Sequence, residues 1–298
     1  EEVVKKVGIP FYGLSVSGVR GKSLLNKAAA PFRIAYAIFQ ALKVIHKIKP
    51  DAVLGMGGFA SGPGGFAARL MGKPLLIHEQ NAVAGLTNRI LAKVATSVMS
   101  AFPEAFSSDV KTKLFGNPLR DEICDLYYQS RPKLMKDRNI RLLVLGGSLG
   151  AASLNEIIPA SIGLLNEETR PEVWHQTGRN KSDGVKDRYQ QAGVEVKVSE
   201  FIVDMAEAYK WADFVICRAG ALTISELCIA GLGAILVPYP YAVDDHQTLN
   251  ASVMTKSGAA WLLPQSDLNA KTLAEMLMPL LTKRERISIL SEAAHKLA

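Results

Sequence analysis

Residues 141–151 read Arg141-Leu142-Leu143-Val144-Leu145-Gly146-Gly147-Ser148-Leu149-Gly150-Ala151, and this stretch decides the fold of the second half of the chain. Its apolar run is typical of a buried parallel strand, and a run of helical length from Ala152 to Leu165 follows the glycines. The pattern predicts a strand, a tight loop and a helix, with Ser148 at the helix start as a donor to a phosphate. The loop has neither the Gly-Lys-Ser/Thr ending of a P-loop nor the Gly-x-Gly-x-x-Gly dinucleotide spacing.

Similar apolar runs alternate with helix-length segments on both sides of this stretch. They begin at Asp51, Pro74, Ser97, Glu172, Val194, Phe214, Ala234 and Ala259. This βαβ rhythm predicts α/β architecture, with two doubly wound, Rossmann-like domains built on parallel sheets. We place the first domain at residues 1–118, a linker rich in charge and proline at 119–140, and the second domain at 141–298. Ligands of such sheets bind beyond the carboxyl ends of the strands, so the loops there are the candidate sites.

Charge is distributed unevenly along the chain. Up to Arg120 there are 16 Lys and Arg against 6 Asp and Glu, whereas the whole chain has a formal net charge of +7. Nucleic acid, an anionic membrane and a phosphorylated substrate all fit a basic first half. Cys124, Cys217 and Cys228 form no Cys-x-x-Cys pair, so we interpret them as buried thiols. No apolar run reaches the roughly 18 residues of a membrane-spanning helix.

A second glycine-rich segment runs from Gly55 to Gly65. Six glycines in eleven residues between a strand and a helix favour a loop whose N–H groups bind an anion. The alternative is a tight turn with close helix packing.

Two further loops follow strands of the second half. Gly220 precedes a predicted helix with Glu226 about one turn in, where a carboxylate can accept hydrogen bonds from a ribose or complement the helix dipole. After Val237 comes a polar loop that opens onto His246 and Gln247 and suits a hydroxyl-rich ligand. Asp244 or Asp245 is expected to cap that helix.

Together these motifs resemble the bacterial MurG transferase family, over nearly the whole chain. They are Gly55-Met56-Gly57-Gly58-Phe59, Ser61-Gly62-Pro63-Gly64, His78-Glu79-Gln80-Asn81, Gly85-Leu86-Thr87-Asn88, Gly116-Asn117-Pro118-Leu119-Arg120, Gly146-Gly147-Ser148, Trp174-His175-Gln176-Thr177-Gly178, Cys217-Arg218-Ala219-Gly220-Ala221-Leu222-Thr223 with Glu226, and Asp245-His246-Gln247 with Asn250. The family transfers N-acetylglucosamine (GlcNAc) from UDP-GlcNAc to undecaprenyl-pyrophosphoryl-muramyl-pentapeptide in peptidoglycan synthesis.

The resemblance implies a GT-B fold, with two Rossmann-like domains facing a cleft and the donor held mainly by the second. It assigns the diphosphate to Ser148 and the following helix, the uracil to the backbone of Ile202, and the ribose to Glu226. The remaining donor contacts that it implies are Asn81, Arg120, Ala221, Leu222, Thr223, Ile224, Ser225, His246 and Gln247.

This chain departs from the family in two places. Leu149 stands where the family has glutamine after the serine, which removes one polar contact to the donor. Family members also open with a strand and a glycine-rich loop that lines the acceptor site. We expect that roughly the first βαβ unit is absent before Glu1, and that the helix after Ala298 is shortened.

Transfer from an α-linked UDP-sugar to a β product requires inversion and one base. His78 and Glu79, at the end of a strand, are the candidates for that base, and a hydrogen-bonded structural role is the alternative for His78. We expect neither a cofactor nor a metal ion, because no Asp-x-Asp pair stands at a strand end.

The basic first half then has a specific expected partner, an anionic membrane surface, rather than nucleic acid. Large apolar side chains from Phe32 to Phe39 alternate with cations that include Lys22, Lys27, Lys43, Lys47 and Lys49. Such a surface suits peripheral binding to the cytoplasmic face of the bacterial inner membrane. The alternative is an amphipathic helix that buries Phe32, Ile34 and Phe39 in the domain core.

Two rival functions share these motifs. One is another UDP-GlcNAc-using GT-B enzyme, an epimerase or a glycolipid synthase. The other is a non-catalytic sugar-nucleotide-binding protein.

Overall fold

The computed structural model describes residues 4, 8–16, 30–129, 138–147 and 150–298. The chain divides into two compact units, Glu1–Gly116 and Asn117–Ala298. In the part of the chain that is described, no helix is long and apolar enough to cross a membrane.

Within the described residues, the first unit is built on a parallel sheet of four strands in the order β1-β2-β3-β4. The strands are β1 (Val53–Gly55), β2 (Leu75–Glu79), β3 (Ser97–Ser100) and β4 (Thr112–Leu114). The helices are α1 (Ala30–Ile48), α2 (Gly58–Leu70) and α3 (Leu86–Ala92).

Helix α1 packs through its small residues rather than its aromatic ones. Ala37, Ala41 and Ile45 recur at helical spacing and are buried. Ala41 and Ile45 cluster with Ala67 and Ala68 of α2. Phe32 is 80% exposed and Phe39 is 51% exposed. The alternative in which Phe32, Ile34 and Phe39 fill the domain core is therefore wrong, because an alanine face lets α1 approach α2 closely and turns the aromatic side chains outward.

The glycine run after β1 is mostly helical, so the prediction of a long loop there is wrong. The connection from β1 to α2 is only Met56 and Gly57, and Gly57 has φ 77°. Gly65 lies inside α2, where an added Cβ would be 2.8 Å from a methyl carbon of Leu91 in α3. Glycine at this position favours close helix packing, which was the structural alternative.

The second unit holds a six-stranded parallel sheet, counted over the described residues, in the order β10-β9-β8-β5-β6-β7. Its strands are β5 (Arg141–Leu145), β6 (Glu172–Gln176), β7 (Lys197–Ser199), β8 (Phe214–Cys217), β9 (Ala234–Leu236) and β10 (Ala260–Leu262). Its helices are α4 (Asp121–Cys124), α5 (Ala152–Gly163), α6 (Ser182–Gln191), α7 (Met205–Trp211), α8 (Ala221–Ile229), α9 (His246–Lys256), α10 (Ala270–Thr282) and α11 (Glu285–His295).

The strand order reverses between β5 and β8. The chain runs outward from β5 through β6 to β7, and then returns to the other side of β5 with β8, β9 and β10. The loops that follow β5 and β8 therefore leave the sheet in opposite directions and open a crevice, which is where doubly wound sheets bind ligands.

The segment predicted as a linker is partly structured. It contains α4 and a 3₁₀ turn, Asp125–Tyr128, and α4 packs against α7 and α8 of the second unit. Ile123 and Leu126 are buried, which explains why this segment belongs to the second unit.

A buried histidine makes the stability of the second unit sensitive to acid. His175 of β6 is fully buried, and its Nδ1 lies 3.0 Å from the hydroxyl of Tyr189. Burial lowers the pKa of His175 from 6.5 to about 3. Above pH 6.5 the imidazole is neutral in both folded and unfolded chains; below it, the unfolded chain takes up a proton that the folded chain excludes.

We therefore expect the free energy of unfolding to fall by about 1.4 kcal/mol per pH unit on this account between pH 6.5 and 3, or about 2 kcal/mol by pH 5. Urea unfolding at pH 7 and pH 5 measures the effect. The variant His175→Gln does not titrate, so its loss over the same interval should be smaller. Equal losses in the two proteins would refute the assignment to His175.

Candidate functional site

The loop after β5 is held in a conformation that favours glycine. Gly147 and Gly150 have φ values of 76° and 70°, and Gly150 N–H donates to the carbonyl of Gly147. An added Cβ at Gly150 would lie 2.0 Å from the carbonyl oxygen of Thr177, and one at Gly146 would lie 2.7 Å from the nitrogen of Ala151. The loop is thus pressed against the end of β6, and it fixes where α5 begins.

The amino end of α5 presents N–H groups that have no acceptor within the helix. The first helical hydrogen bond here runs from Asn155 N–H to Ala151, so the three preceding amides have no acceptor within the helix. Such a terminus suits an anion. Ser148, which the resemblance assigns to the diphosphate, and Leu149 lie outside the described residues.

Helix α8 presents a second amino terminus after β8. Its first hydrogen bond runs from Ile224 N–H to Gly220, which leaves the N–H groups of Ala221, Leu222 and Thr223 without an acceptor within the helix. On the next turn Ser225 Oγ accepts from Asn117 Nδ2 at 3.0 Å. The residues from Ala221 to Glu226, which are predicted to contact the donor, thus form the first two turns of one helix.

Glu226 is held between a phenol and a guanidinium. Its Oε2 accepts from the hydroxyl of Tyr209 at 2.7 Å, and its Oε1 lies 4.0 Å from Nη2 of Arg120. Burial and the neighbouring Glu226 carboxylate raise the pKa of Tyr209 well above its ordinary value, so the phenol stays protonated and donates. Arg120, a predicted donor contact in the segment expected to be the linker, belongs to the second unit and is close to the predicted ribose residue.

The loop between β9 and α9 carries backbone strain and places Gln247. Asp244 and Asp245 both have positive φ, 53° and 52°, which is uncommon for non-glycine residues. Asp245 precedes α9, but its side chain accepts from the Thr248 hydroxyl and forms no cap bond to the helix backbone. Gln247 Oε1 accepts from the N–H of Tyr239 at 2.9 Å, which leaves its Nε2 as the group that can donate to a ligand.

Ile202 and His246 complete the predicted contacts of the second unit. Ile202 is buried in the segment between β7 and α7, and His246 is the first residue of α9. Asn250, on the next turn of α9, donates to the carbonyl of Ala219 at 3.2 Å and ties α9 to the β8–α8 loop.

The predicted residues of the first unit lie at the end of β2. Buried Glu79 accepts four hydrogen bonds: from the N–H and Nδ2 of Asn81, the N–H of Gly85 and Nδ2 of Asn88, all between 2.8 and 3.1 Å. His78 Nε2 donates to the carbonyl of Gly116 at 2.9 Å. The contacts support the hydrogen-bonded, structural alternative for His78, and the assignment of the base to His78 or Glu79 stays a prediction.

Two residues near these loops had no predicted role. Tyr209 lies 17 positions before Glu226 in sequence, and no sequence pattern indicates that they meet. Arg218 stands inside a quoted motif, but only the structure reveals which groups its guanidinium binds.

Two domain families match the chain. Residues 141–298 match the Glycosyltransferase family 28 C-terminal domain, and residues 1–100 match the Glycosyltransferase family 28 N-terminal domain. Together they cover β1 to β3 of the first sheet and all six described strands of the second.

Curated relatives match along the whole chain. A protein of Azotobacter vinelandii named UDP-N-acetylglucosamine--N-acetylmuramyl-(pentapeptide) pyrophosphoryl-undecaprenol N-acetylglucosamine transferase is 48% identical over 297 residues, which are 100% of this chain and 83% of that protein. A protein of the same name from Marinobacter nauticus is 49% identical over 298 residues, 100% of this chain and 82% of that protein.

Solved structures agree with the sequence matches. MurG of Acinetobacter baumannii is similar with a TM-score of 0.82 and 39% identity, covering 99% of this chain and 83% of that one. A glycosyltransferase from Rickettsia africae, with a TM-score of 0.59 and 14% identity, covers 99% of this chain and 82% of that one and shares the fold alone. The fold class is α/β of the GT-B type, and the chain belongs to glycosyltransferase family 28, in the MurG family.

Proposed function

We propose that this chain transfers GlcNAc from UDP-GlcNAc to undecaprenyl-pyrophosphoryl-muramyl-pentapeptide, with inversion at the anomeric carbon. The observation that carries the proposal is the 48% identity to an enzyme of that name over 100% of the chain. The product would be the lipid-linked disaccharide from which peptidoglycan is made.

The donor is assigned to the crevice of the second unit. The amino termini of α5 and α8 would face the diphosphate, and each offers amides that have no acceptor within its helix. Glu226 would accept from the ribose hydroxyls, Ile202 would meet the uracil, and His246 with Gln247 would bind the hydroxyls of the sugar. Ser148 keeps its assignment to the diphosphate from the family resemblance.

Chemistry at the anomeric carbon requires a deprotonated acceptor and a stabilised leaving group. As the acceptor hydroxyl attacks, the bond to the diphosphate breaks and negative charge grows on UDP. Positively polarised helix termini that are fixed before the reaction stabilise this charge without reorganisation. Arg120, whose guanidinium is on the same unit as these helices, adds a full positive charge.

Glu79 would act on the donor side through Asn81. Both amide donors of Asn81 that bind Glu79 converge on one carboxylate oxygen at 3.0 Å, so Glu79 sets the orientation of the Asn81 side chain. We propose that this orientation presents Asn81 to the donor. We also propose that His78 or Glu79 removes the proton from the acceptor hydroxyl, a step that mutation of each residue would test.

The acceptor is lipid-linked, and α1 provides a surface for a membrane. Phe32, Ile34, Tyr36 and Phe39 are all exposed, and Lys43 Nζ lies 4.5 Å from the centre of the Phe39 ring. Exposed aromatic side chains with adjacent cations suit the headgroup region of anionic lipids. We propose peripheral binding to the cytoplasmic face of the inner membrane through α1; Lys22 and Lys27 of the predicted surface lie outside the described residues.

The double variant Phe32→Ser with Phe39→Ser should reduce the partition coefficient onto anionic liposomes by about tenfold or more, because two exposed rings no longer enter the interface. Cosedimentation measures it. The matched control is Ile289→Ser, which removes a side chain that is 63% exposed on α11 of the other unit and should leave sedimentation unchanged. If the double variant sediments like the wild type, α1 is not the membrane surface.

A transfer assay with radiolabelled UDP-GlcNAc and a lipid-linked acceptor analogue tests the function. We expect label in the lipid product only when the acceptor is present. Consumption of UDP-GlcNAc without acceptor would favour an epimerase. Binding of UDP-GlcNAc with no turnover would favour a non-catalytic protein.

A further inference from the structure

Arg218, directly after β8, is the centre of a hydrogen-bond cluster at the carboxyl ends of the strands. Its Nη1 donates to the carbonyl oxygens of Val237 and Pro238, each at 3.0 Å. Its Nη2 donates to Ser153 Oγ at 2.9 Å and to Gln265 Oε1 at 2.6 Å. Acceptors on both terminal nitrogens fix the plane of the guanidinium, which a lysine ammonium could not reproduce.

These bonds join loops that come from three different strands. Ser153 is on the first turn of α5, whose amino end is the proposed diphosphate site, and it also donates to Gln265 Oε1 at 3.1 Å. Gln265 follows β10. Val237 and Pro238 follow β9, so Arg218 fixes the backbone immediately before Tyr239.

Tyr239 connects the Arg218 cluster to Gln247, the residue proposed to contact the sugar. Tyr239 N–H donates to Gln247 Oε1 at 2.9 Å, and the Tyr239 ring lies 5.5 Å from the Arg218 guanidinium. Moving the Pro238 carbonyl would move the Tyr239 N–H, since the two belong to one peptide unit. The orientation of the Gln247 amide therefore depends on Arg218.

No carboxylate lies within salt-bridge distance of Arg218 among the residues that the structure describes. Its side chain is half-buried, and this loss of solvent lowers the pKa of the guanidinium. Partial burial of a cation without a counter-ion is costly. Burial of Arg218 therefore destabilises the fold, but it places a positive charge at the end of the sheet where an anionic ligand is proposed to bind.

We propose that Arg218 is a positioning residue for the donor. It holds the amino end of α5 and the loop that orients Gln247 in one arrangement, so that the binding groups for the diphosphate and for the sugar keep a fixed relative position. This inference rests on the proposed function, because it takes these loops to be the donor site.

The test is Arg218→Lys in the full chain, which keeps the charge and loses the planar array of donors. We expect the KM for UDP-GlcNAc to rise about tenfold or more while the KM for the acceptor is unchanged. Because Gln247 would no longer be oriented, the preference for UDP-GlcNAc over its C4 epimer UDP-GalNAc should fall by about tenfold. Calorimetric binding of UDP and UDP-GlcNAc gives a second readout that does not need turnover.

Arg138→Lys is the matched control. Arg138 also makes two directed bonds, to Asp213 at 2.6 and 2.8 Å, but Asp213 precedes β8, at the opposite end of the strands. This variant should lose thermal stability and keep the donor KM and the sugar preference.

If Arg218→Lys loses stability as Arg138→Lys does, with donor affinity and sugar preference unchanged, Arg218 is structural only and the inference is overturned. Absence of transfer by the wild type would instead contradict the proposed function. Calorimetry with UDP-GlcNAc would still decide whether Arg218 acts on donor binding.

Discussion

Replacement of Gly150 by alanine should weaken UDP binding by roughly 100-fold or more. The new Cβ would lie 2.0 Å from the carbonyl oxygen of Thr177, and the residue would have to keep a φ of 70°. Neither condition can be met without displacing the loop or the end of β6. Because this loop sets the start of α5, the amides proposed to bind the diphosphate would move with it. Calorimetric titration with UDP measures the loss.

Gly147→Ala is the matched control in the same loop. Gly147 also has positive φ, at 76°, but an added Cβ would meet no atom within 4 Å. Its cost is the backbone penalty alone, about 1–2 kcal/mol, which is roughly tenfold in affinity if it acts entirely on the bound state. Circular dichroism should show both variants folded. Equal affinities of the two variants for UDP would mean that contact with Thr177 does not position the diphosphate site.

Loss of the Glu226 carboxylate should weaken UDP binding by about 1–3 kcal/mol, the cost of removing a charge-assisted hydrogen bond. Tyr209 already holds one oxygen at 2.7 Å, so the carboxylate is oriented before the ribose arrives. Glu226→Ala also leaves the buried Tyr209 hydroxyl without its acceptor. Glu226→Gln is the second variant, since its amide oxygen can still accept from Tyr209.

A modified ligand is the control for the Glu226 variants. A UDP analogue without the ribose 2′ and 3′ hydroxyls should bind the wild type more weakly, and should lose nothing further in Glu226→Gln. If the variant binds this analogue less well by the same factor as it binds UDP, Glu226 acts on the fold of the site and not on the ribose.

Strand positions followed from the sequence wherever a strand is buried on both faces. The apolar runs at Arg141–Leu145 and Phe214–Cys217 match β5 and β8 residue for residue. Strand β4 gave no such signal, because Thr112, Lys113 and Leu114 at the sheet edge are partly or fully exposed and are not an apolar run.

Helix packing was harder to predict than the strands. The glycines after β1 favoured a loop by composition, but Gly65 lies inside a helix, where the absence of a side chain favours the close approach of α2 to α3. Likewise, the aromatic residues of α1 carry most of its hydrophobicity, whereas its contact with α2 is made by alanines. Residue type alone does not reveal which face of such a helix is covered.

The loops of the candidate site were predictable because strand ends are marked by glycine and polar residues. The partners that orient them were not. Tyr209 meets Glu226, and Arg218 meets Ser153 and Gln265, across separations of 17 to 65 residues. Such contacts depend on how helices and loops pack on the sheet, which local patterns do not encode.

The anomeric configuration of the product tests the central claim most directly. The full chain would be incubated with UDP-GlcNAc and the lipid-linked acceptor analogue, and the disaccharide examined by proton NMR. Inverting transfer predicts a β-linked GlcNAc, recognised by the large diaxial coupling of its anomeric proton. An α-linked disaccharide, or free GlcNAc or its epimer in place of a disaccharide, would contradict it.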